Sequence, residues 1–252
     1  MPENNSAGWH DLDVISTAIK RLTTHDVSPT IGADMAMFMM HEKPEITPTS
    51  MHGQGPSATN RLNIAEHTGS HVDAPFHTDP SGATIDQVPL EVLLLPRFCK
   101  YDLTEYNHQP GDLIGVDHLV AAQERLGFEL GQGDVAIIET GWDRFLPGGT
   151  DPRDNNWWGR NQPGLSPEAC NYLAEAGVVA VASDTGACDL AIRDGHVLAA
   201  DGHARAFLPR GILIVEGLHN LAEVPATGLF LALPLKIKNG TGSPLRVVLL
   251  TE

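Results

Sequence analysis

The stretch of residues 66–77 constrains this chain more than any other segment. It holds three histidines and one aspartate within eleven residues: His67, His71, Asp73 and His77. No lysine or arginine lies among them. Imidazole nitrogens and carboxylate oxygens are common ligands of divalent first-row metal ions. The spacing therefore predicts a metal site, and a histidine-rich surface loop is the simpler alternative.

Neither regular secondary structure would bring these four side chains together. A helix aligns His67 with His71 one turn apart but turns Asp73 to another face. A continuous strand would separate His67 from His71 by about 13 Å, which is too far to share an ion. We therefore expect a bent segment, in which Gly69 permits the bend and Pro75 stiffens its exit.

The same run resembles the signature H-x-G-T-H-x-D-x-P-x-H of the metal-dependent cyclase family of hydrolases, with Ser70 in place of the commoner threonine. That family includes kynurenine formamidases and isatin hydrolases. The likeness extends, in family order, to residues 140–142, 163–166, 183–185 and 214–218. It covers roughly residues 26 to 250.

This resemblance implies a swivelling β/β/α-type single domain with a mixed sheet, which is an α/β fold. On this hypothesis, His67, His71 and Asp73 hold one divalent ion and leave positions open for water and substrate. The ligand set suits Mn²⁺ and Zn²⁺ equally. His77 is the predicted general base, because a neutral imidazole can take a proton from water and return it.

A second set of ligands is expected around Glu216. This carboxylate ends an apolar strand, so it needs either a cationic partner or a metal ion. In formamidases of the family, a histidine upstream and the glutamate of the I-x-E-G-L block bind a second ion, and His203 and Glu216 match that pair by type. The interval between them is one residue longer than in the formamidase pattern, which keeps His196 and His219 as alternatives.

The substrate wall is predicted from apolar side chains near these ligands. Residues 35–40 contain four of the six methionines, and such adaptable side chains suit a surface that accepts flat rings. Phe38, Phe76 and Phe207 are the candidates for stacking on a substrate. An ordinary core or a subunit interface would explain the methionines equally well.

The segment 41–63 is rich in Pro, Thr, Ser and Gly, so we expect a loop lying over the site. Its two histidines, His41 and His52, are expected at the surface rather than among the ligands.

Composition bounds the remaining possibilities. The 252 residues carry a net charge of −16, which disfavours nucleic-acid binding because no basic footprint exists. Cys99, Cys170 and Cys188 are widely spaced. They are expected to be reduced thiols rather than ligands or nucleophiles, because none lies in a C-x2-C or nucleophile context. Neither a signal peptide nor a membrane span is recognisable, which favours a cytoplasmic protein.

We predict that residues 26–252 form one α/β domain and that a helical arm, residues 1–25, precedes it. Apolar residues recur at helical spacing in the arm and predict a helix over 11–24. By resemblance, this arm packs on a partner subunit, so a dimer or tetramer is expected. Helices are predicted over 117–126 and 166–177. Strands are predicted over 98–103, 134–140, 178–182, 211–216, 229–233 and 245–250.

The predicted function is hydrolysis of a cyclic amide, such as an isatin-like compound, a lactam or an imide, by metal-bound water. The chain is longer than typical formamidases of the family, which favours a cyclic amide over an aryl formamide. A retained Glu216 favours an arylformamidase that acts on N-formylkynurenine. A metal-binding protein without turnover and a ring-closing cyclase are further alternatives. No G-x-S-x-G or nucleotide-binding motif is present, so neither a serine hydrolase nor a nucleotide cofactor is indicated.

Overall fold

The computed structural model describes residues 6–198 and 200–252. Its α-helices are α1 (Ser6–Ile19), α2 (Val116–Leu126), α3 (Asn155–Trp158) and α4 (Pro167–Glu175). Its strands are β1 (Thr23–Asp26), β2 (Glu45–Ser50), β3 (Thr59–Asn63), β4 (His71–Asp73), β5 (Leu94–Asp102), β6 (Leu113–Ile114), β7 (Val135–Glu139), β8 (Gly164–Leu165), β9 (Ala180–Ser183), β10 (Ile192–Arg193), β11 (His196–Val197), β12 (Leu213–Glu216), β13 (Thr227–Leu231), β14 (Gly242–Pro244) and β15 (Val248–Thr251).

Nine of these strands form one mixed sheet in the order β1-β15-β13-β5-β7-β9-β12-β4-β14. The four central strands β5, β7, β9 and β12 are parallel to their neighbours in that group. The flanking strands pair antiparallel. The prediction of an α/β domain with a mixed sheet is confirmed.

Both faces of the central sheet are covered, which explains why its strands are apolar throughout. Along β7, Ala136 and Ile138 face a core built with α2 and α4, while Val135 and Ile137 face a second core that includes Val72. Parallel strands buried on both faces leave only their carboxyl ends for polar chemistry. Glu216 lies at the end of β12, as predicted.

The N-terminal arm differs from the prediction at both ends of its helix, which spans residues 6–19 rather than 11–24. Helix α1 begins at Ser6 and ends at Ile19, and the chain then enters β1, which pairs with β15 at one edge of the large sheet. The sheet therefore begins at Thr23, ahead of the boundary at residue 25. Two β-branched threonines that pair with the C-terminal strand outweigh the helical spacing of Leu22.

The predicted helices α2 and α4 are confirmed, with ends that lie within two residues of those predicted. Ser166 caps α4, since its Oγ accepts a hydrogen bond from Ala169 N at 3.2 Å, and Pro167 occupies the first turn. Helix α2 ends at Gly127, which adopts a left-handed conformation. No helix among the described residues is long and apolar enough to cross a bilayer.

The prediction of a loop over residues 41–63 is wrong in part. Strands β2 and β3 form an antiparallel ribbon there, and its side chains are almost all exposed. The sequence signal is weak because each strand carries a single large apolar residue, Ile46 or Leu62, so no alternation of apolar residues marks the ribbon.

Candidate metal centre

The predicted bend in residues 66–77 is confirmed. Gly69 has a φ of +67°, a conformation that favours glycine. The chain then runs through β4, between β12 and β14, and turns at Pro75 into a 3-10 helix that ends at His77. Because side chains alternate along a strand, His71 and Asp73 share one face while the residue between them packs in the core.

The bend brings the first group of predicted residues together. Ligand atoms of His67, Asp73 and His77 lie within 4.8 Å of one another. His67 Nδ1 lies 2.6 Å from Asp73 Oδ1, and the rings of His67 and His77 have centroids 4.3 Å apart. His71 Nε2 is 3.6 Å from the same oxygen of Asp73. His77 therefore lies close enough to serve either as a ligand or as a base.

Hydrogen bonds orient the His67 ring toward this group. Its Nε2 lies 2.9 Å from Thr241 Oγ1, which donates to Glu66 Oε2 at 2.6 Å. Since the Thr241 hydroxyl hydrogen is used there, we assign Nε2 as the donor, which leaves Nδ1 directed at Asp73. A Cβ on Gly242 would lie 2.8 Å from Cε1 of His67, so only glycine leaves room for the ring. Such outer contacts fix the orientation of a metal-binding histidine.

The His71 ring is oriented by the main chain two residues before it. Its Nδ1 donates to Gly69 O at 2.9 Å, which leaves Nε2 directed at the centre. There Nε2 is 3.5 Å from Glu216 Oε2, because β4 and β12 pair these two residues directly across the ladder.

His203 also reaches the centre. Its Nε2 is 3.3 Å from Asp73 Oδ2 and 3.2 Å from Glu216 Oε1. Its Nδ1 donates to Asp189 Oδ1 at 2.9 Å, and its main-chain N–H donates to the other oxygen of that carboxylate. Of the alternatives, His196 is exposed on β11 and His219 lines a cavity beside the centre. The extra residue between His203 and Glu216 does not prevent their contact.

The carboxylates here are buried and charged. Burial alone would raise the pKa of Asp73, but the neighbouring imidazole of His203 holds it well below its ordinary value. Burial also acts to raise the pKa of Glu216, and the charge of His203 outweighs it. Burial would lower the pKa of His203, but the charges of Asp189 and Glu216 raise it well above the ordinary value.

This donor set fits a divalent ion. Asp73 Oδ1 is buried, yet no donor hydrogen is aligned with it, although His67 Nδ1 is close. A buried anionic oxygen without a hydrogen bond is costly, and a cation removes that cost. Imidazole and carboxylate ligands suit manganese and zinc.

His41 belongs to the site, which corrects the expectation that it lies at the surface. Its ring stacks on His67 with centroids 5.4 Å apart and meets His71 edge-on at 6.3 Å. Burial, with the charges of both these histidines, lowers the pKa of His41 to about 4, so its ring is neutral at neutral pH. Sequence spacing could not show this, because only the folded path of residues 35–41 brings it to the bend. His52 is exposed on the ribbon, as expected.

Two cavities meet at the candidate metal centre. The larger has a volume of about 320 Å³ and touches His67 and His71. The smaller, of about 160 Å³, touches His77, His203 and Glu216. Apolar side chains line the larger cavity: Met35, Met37, Phe38, Leu146, Pro147 and Trp158.

The structure separates the three predicted phenylalanines. Phe38 lines both cavities, and its contact with a substrate stays a prediction. Phe207 is fully buried in the core beside α4, so the prediction that it contacts substrate is wrong. Phe76 is half-buried in the 3-10 helix and lies outside the residues that line either cavity. Phe76 is adjacent to His77 in the sequence, but the turn of the 3-10 helix keeps its side chain out of both cavities.

Two further blocks of the sequence pattern, residues 140–142 and 183–185, support the walls of the larger cavity. Asp184, fully buried, accepts hydrogen bonds from the backbone N–H groups of Thr140 and Trp142 and from the Thr140 hydroxyl. These bonds hold the turn that leads to Leu146 and Pro147. Asp184 therefore acts in the scaffold rather than at the centre.

Known proteins resemble this chain over most of its length. Residues 24–190 match the sequence model of the Cyclase family. A kynurenine formamidase from Paracidovorax citrulli is 31% identical over 233 residues, which cover 90% of this chain and 95% of that protein. An isatin hydrolase from Roseibium aggregatum is 29% identical over 199 residues, covering 77% of this chain and 74% of that protein.

A solved structure extends the agreement to the whole fold. Isatin hydrolase A from Ralstonia solanacearum superposes with a TM-score of 0.83 at 25% identity, covering 96% of this chain and 97% of that one. The curled mixed sheet and its helices are thus shared over nearly the full length.

Proposed function

This chain belongs to the Cyclase family and is a metal-dependent hydrolase of carbon–nitrogen bonds, and from that premise we propose that it opens a cyclic amide of isatin-like size. The observation that carries the proposal is the apolar cavity beside His67 and His71. Its volume of about 320 Å³ suits a compact, flat ring system.

The charge of the cavity wall supports a neutral ring rather than an amino acid. No lysine or arginine lies among the described residues that line either cavity. Apart from the imidazolium of His203 in the smaller cavity, the charged side chains that line them are carboxylates: Asp34, Asp73 and Glu216. N-formylkynurenine carries an α-carboxylate, and neither cavity offers it a lysine or an arginine to pair with. A neutral cyclic amide meets no such penalty.

Hydrolysis needs an activated water and a group that moves its proton. An Mn²⁺ or Zn²⁺ ion held by His67, His71 and Asp73 would lower the pKa of water and polarise the amide carbonyl. His77 would take the water proton on its free ring nitrogen and return it to the leaving amide nitrogen as the carbon–nitrogen bond breaks. Burial lowers the pKa of His77, which keeps its ring in the neutral, basic form at neutral pH.

Aryl formamide hydrolysis is the second candidate, favoured by a different observation. His203 and Glu216 lie 3.2 Å apart at the centre, as a pair that shares a second ion would. The relative from Paracidovorax citrulli is a kynurenine formamidase. The bond broken and the proton transfers needed are nearly the same, so the pocket and not the chemistry separates the two candidates.

A substrate panel with chelated and reloaded protein tests the proposal. We expect reloaded enzyme to hydrolyse isatin faster than N-formylkynurenine, with a simple γ-lactam slower, and chelated enzyme to be inactive. His71→Ala should remove activity, and His52→Ala, on the exposed ribbon, should retain it. Faster turnover of N-formylkynurenine would replace the proposal by the formamidase. No turnover of any amide by metal-loaded protein would favour a binding protein or a ring-closing cyclase.

A further inference from the structure

His219 brings a polar ring into the wall of the larger cavity. The residue is half-buried and lines that cavity together with Met35, Phe38 and Trp158. Its Nδ1 is buried and makes no hydrogen bond with any residue that the structure describes. A buried polar atom without a partner is costly. The fold therefore gains little stability from this ring, and a role toward a ligand explains its place.

The other polar side chains of the cavity wall are placed differently. Thr30, Asp34 and Asn220 are exposed, so they lie at the rim. Ser28 is half-buried, but its Oγ accepts a hydrogen bond from Val247 N at 2.8 Å. Apart from the histidines of the candidate metal centre, His219 thus offers the cavity a polar side chain that the described part of the fold does not engage.

The main chain fixes the position of His219. Its N–H donates to Val27 O at 2.9 Å, and the N–H of the next residue, Asn220, donates to Asp143 Oδ2 at 2.9 Å. Two consecutive residues are thus bonded to two different parts of the fold. A polar group held in this way can orient a ligand in a cavity whose wall is largely apolar.

The burial of Nδ1 indicates which nitrogen of His219 donates. In a neutral imidazole, one nitrogen carries hydrogen and the other accepts. A hydrogen on Nδ1 would be buried without an acceptor, and buried donors without acceptors are rarer in folded proteins than acceptors with unused lone pairs. The hydrogen is therefore placed on Nε2. Because the residue is half-buried while Nδ1 is buried, the far edge of the ring, which carries Nε2, faces the cavity.

We propose that His219 is a specificity-determining residue, whose Nε2–H donates a hydrogen bond to a second carbonyl oxygen of the substrate. The inference rests on the proposed function, because it concerns the ring bound in the same cavity. The amide carbonyl under attack would face His67 and His71, so a donor elsewhere in the wall recognises another oxygen. The preferred substrates are then cyclic amides with two carbonyl groups, such as an imide or an α-keto lactam. A simple lactam leaves the donor unpaired and is rejected.

Isatin and oxindole measure this contact, because they share the fused ring and the amide, and oxindole lacks the second carbonyl group. With metal-loaded enzyme, we expect His219→Leu to raise KM for isatin by about 5–100-fold, as when a buried polar group loses its partner. The kcat should change little, because the contact is made equally in the ground state and the transition state. The inhibition constant of oxindole, measured in competition with isatin, should not change.

Two further variants complete the comparison. His219→Gln keeps a side-chain N–H donor and should restore most of the affinity for isatin. His52→Leu, on the exposed ribbon, is the matched control and should leave both constants unchanged. His219→Phe takes the place of His219→Leu if that variant does not fold.

A purely structural role of His219 predicts a different result. A loosened cavity wall weakens the binding of both ligands. Equal weakening of isatin and oxindole in His219→Leu, or unchanged binding of both, would overturn the inference.

The two proposals fail in different ways. If metal-loaded enzyme does not hydrolyse isatin, calorimetry on the same protein gives the dissociation constants of isatin and oxindole. Selective weakening of isatin by His219→Leu then supports the hydrogen bond although the proposed function has failed, and binding of neither ligand removes both proposals. Hydrolysis of isatin with the same KM in His219→Leu and wild type removes the hydrogen bond and leaves the proposed function standing.

Discussion

His77 is the side chain at the centre that could act either as a metal ligand or as the general base. It is more accessible to solvent than Asp73 and His71, and its ring lies beside that of His67. Solvent access suits a residue that exchanges protons, and proximity to Asp73 would also allow it to bind an ion. We interpret it as the base, since His67, His71 and Asp73 already supply three ligands.

Replacement of His77 separates these roles. We expect His77→Ala to lower kcat by about 10²–10⁴-fold, the usual contribution of a positioned acid–base group, while bound metal per chain stays unchanged. Kinetics and elemental analysis of the same preparation measure both. His52→Ala is the matched control, because that histidine lies on the exposed ribbon. Loss of metal from His77→Ala would make the residue a ligand and remove its assignment as base.

Single residues also show what sequence reasoning could reach. The run from His67 to His77 was predictable because its spacing excludes both a helix and a strand, and the observed bend at Gly69 follows from that. Glu216 was predictable because a carboxylate at the end of an apolar strand needs a partner. His41 and Asp189 were not, since they reach the centre only through the packing of distant segments.

Among the secondary-structure elements, a buried ion pair connects the central sheet to the wall of the larger cavity. Lys100 on β5 donates to Glu139 on β7 and, at 2.9 Å, to Leu221 O. Leu221 follows His219 and Asn220, which line that cavity. The pair thus holds a segment that shapes the substrate site, although it lies outside the site itself.

Replacing one residue of this pair should lower the free energy of unfolding more than replacing both residues. We expect Lys100→Met to lower the free energy of unfolding by about 3–5 kcal/mol, because Glu139 is left buried without its partner. Lys100→Met/Glu139→Leu should cost less. Urea unfolding measures both, and KM should rise in Lys100→Met as the segment that carries His219 loosens.

Arg246→Met provides the control. Arg246 pairs with Asp26 on β1, and both side chains are exposed, at 78% and 44%, so its removal should cost no more than about 1 kcal/mol. Equal losses in Lys100→Met and in the double variant would show that the buried pair contributes nothing specific.

For the whole molecule, what the sequence could predict depends on how each strand is buried. Continuous apolar runs marked β5, β7, β9 and β12, because central parallel strands are covered on both faces. Strands β4 and β14 are short, and their pairing with β12 depends on contacts across the whole chain. The sequence therefore defined the centre of the sheet well, and its site-bearing edge only through the metal motif.

Helix α1 gives the molecule a surface that a single chain does not cover. Among its described side chains, residues 10–19, only Ile19 is partly buried, while Leu12, Val14 and Ile15 are more than half exposed. A helix of this length is marginal in water without packing of an apolar face. The arm therefore needs a partner surface, and we expect a second copy of this chain to supply it.

The oligomeric state in solution tests this expectation. Each Leu, Val or Ile side chain that becomes buried contributes about 1.5–3 kcal/mol, so charges on this face should dissociate the assembly. Wild-type protein should be a dimer or tetramer by light scattering after size-exclusion chromatography, and Leu12→Glu/Ile15→Glu should be a smaller species. Val120→Glu, an exposed position on α2, should leave the assembly intact. A monomeric wild type would contradict the expectation, and a double variant of unchanged mass would place the contact elsewhere on the surface.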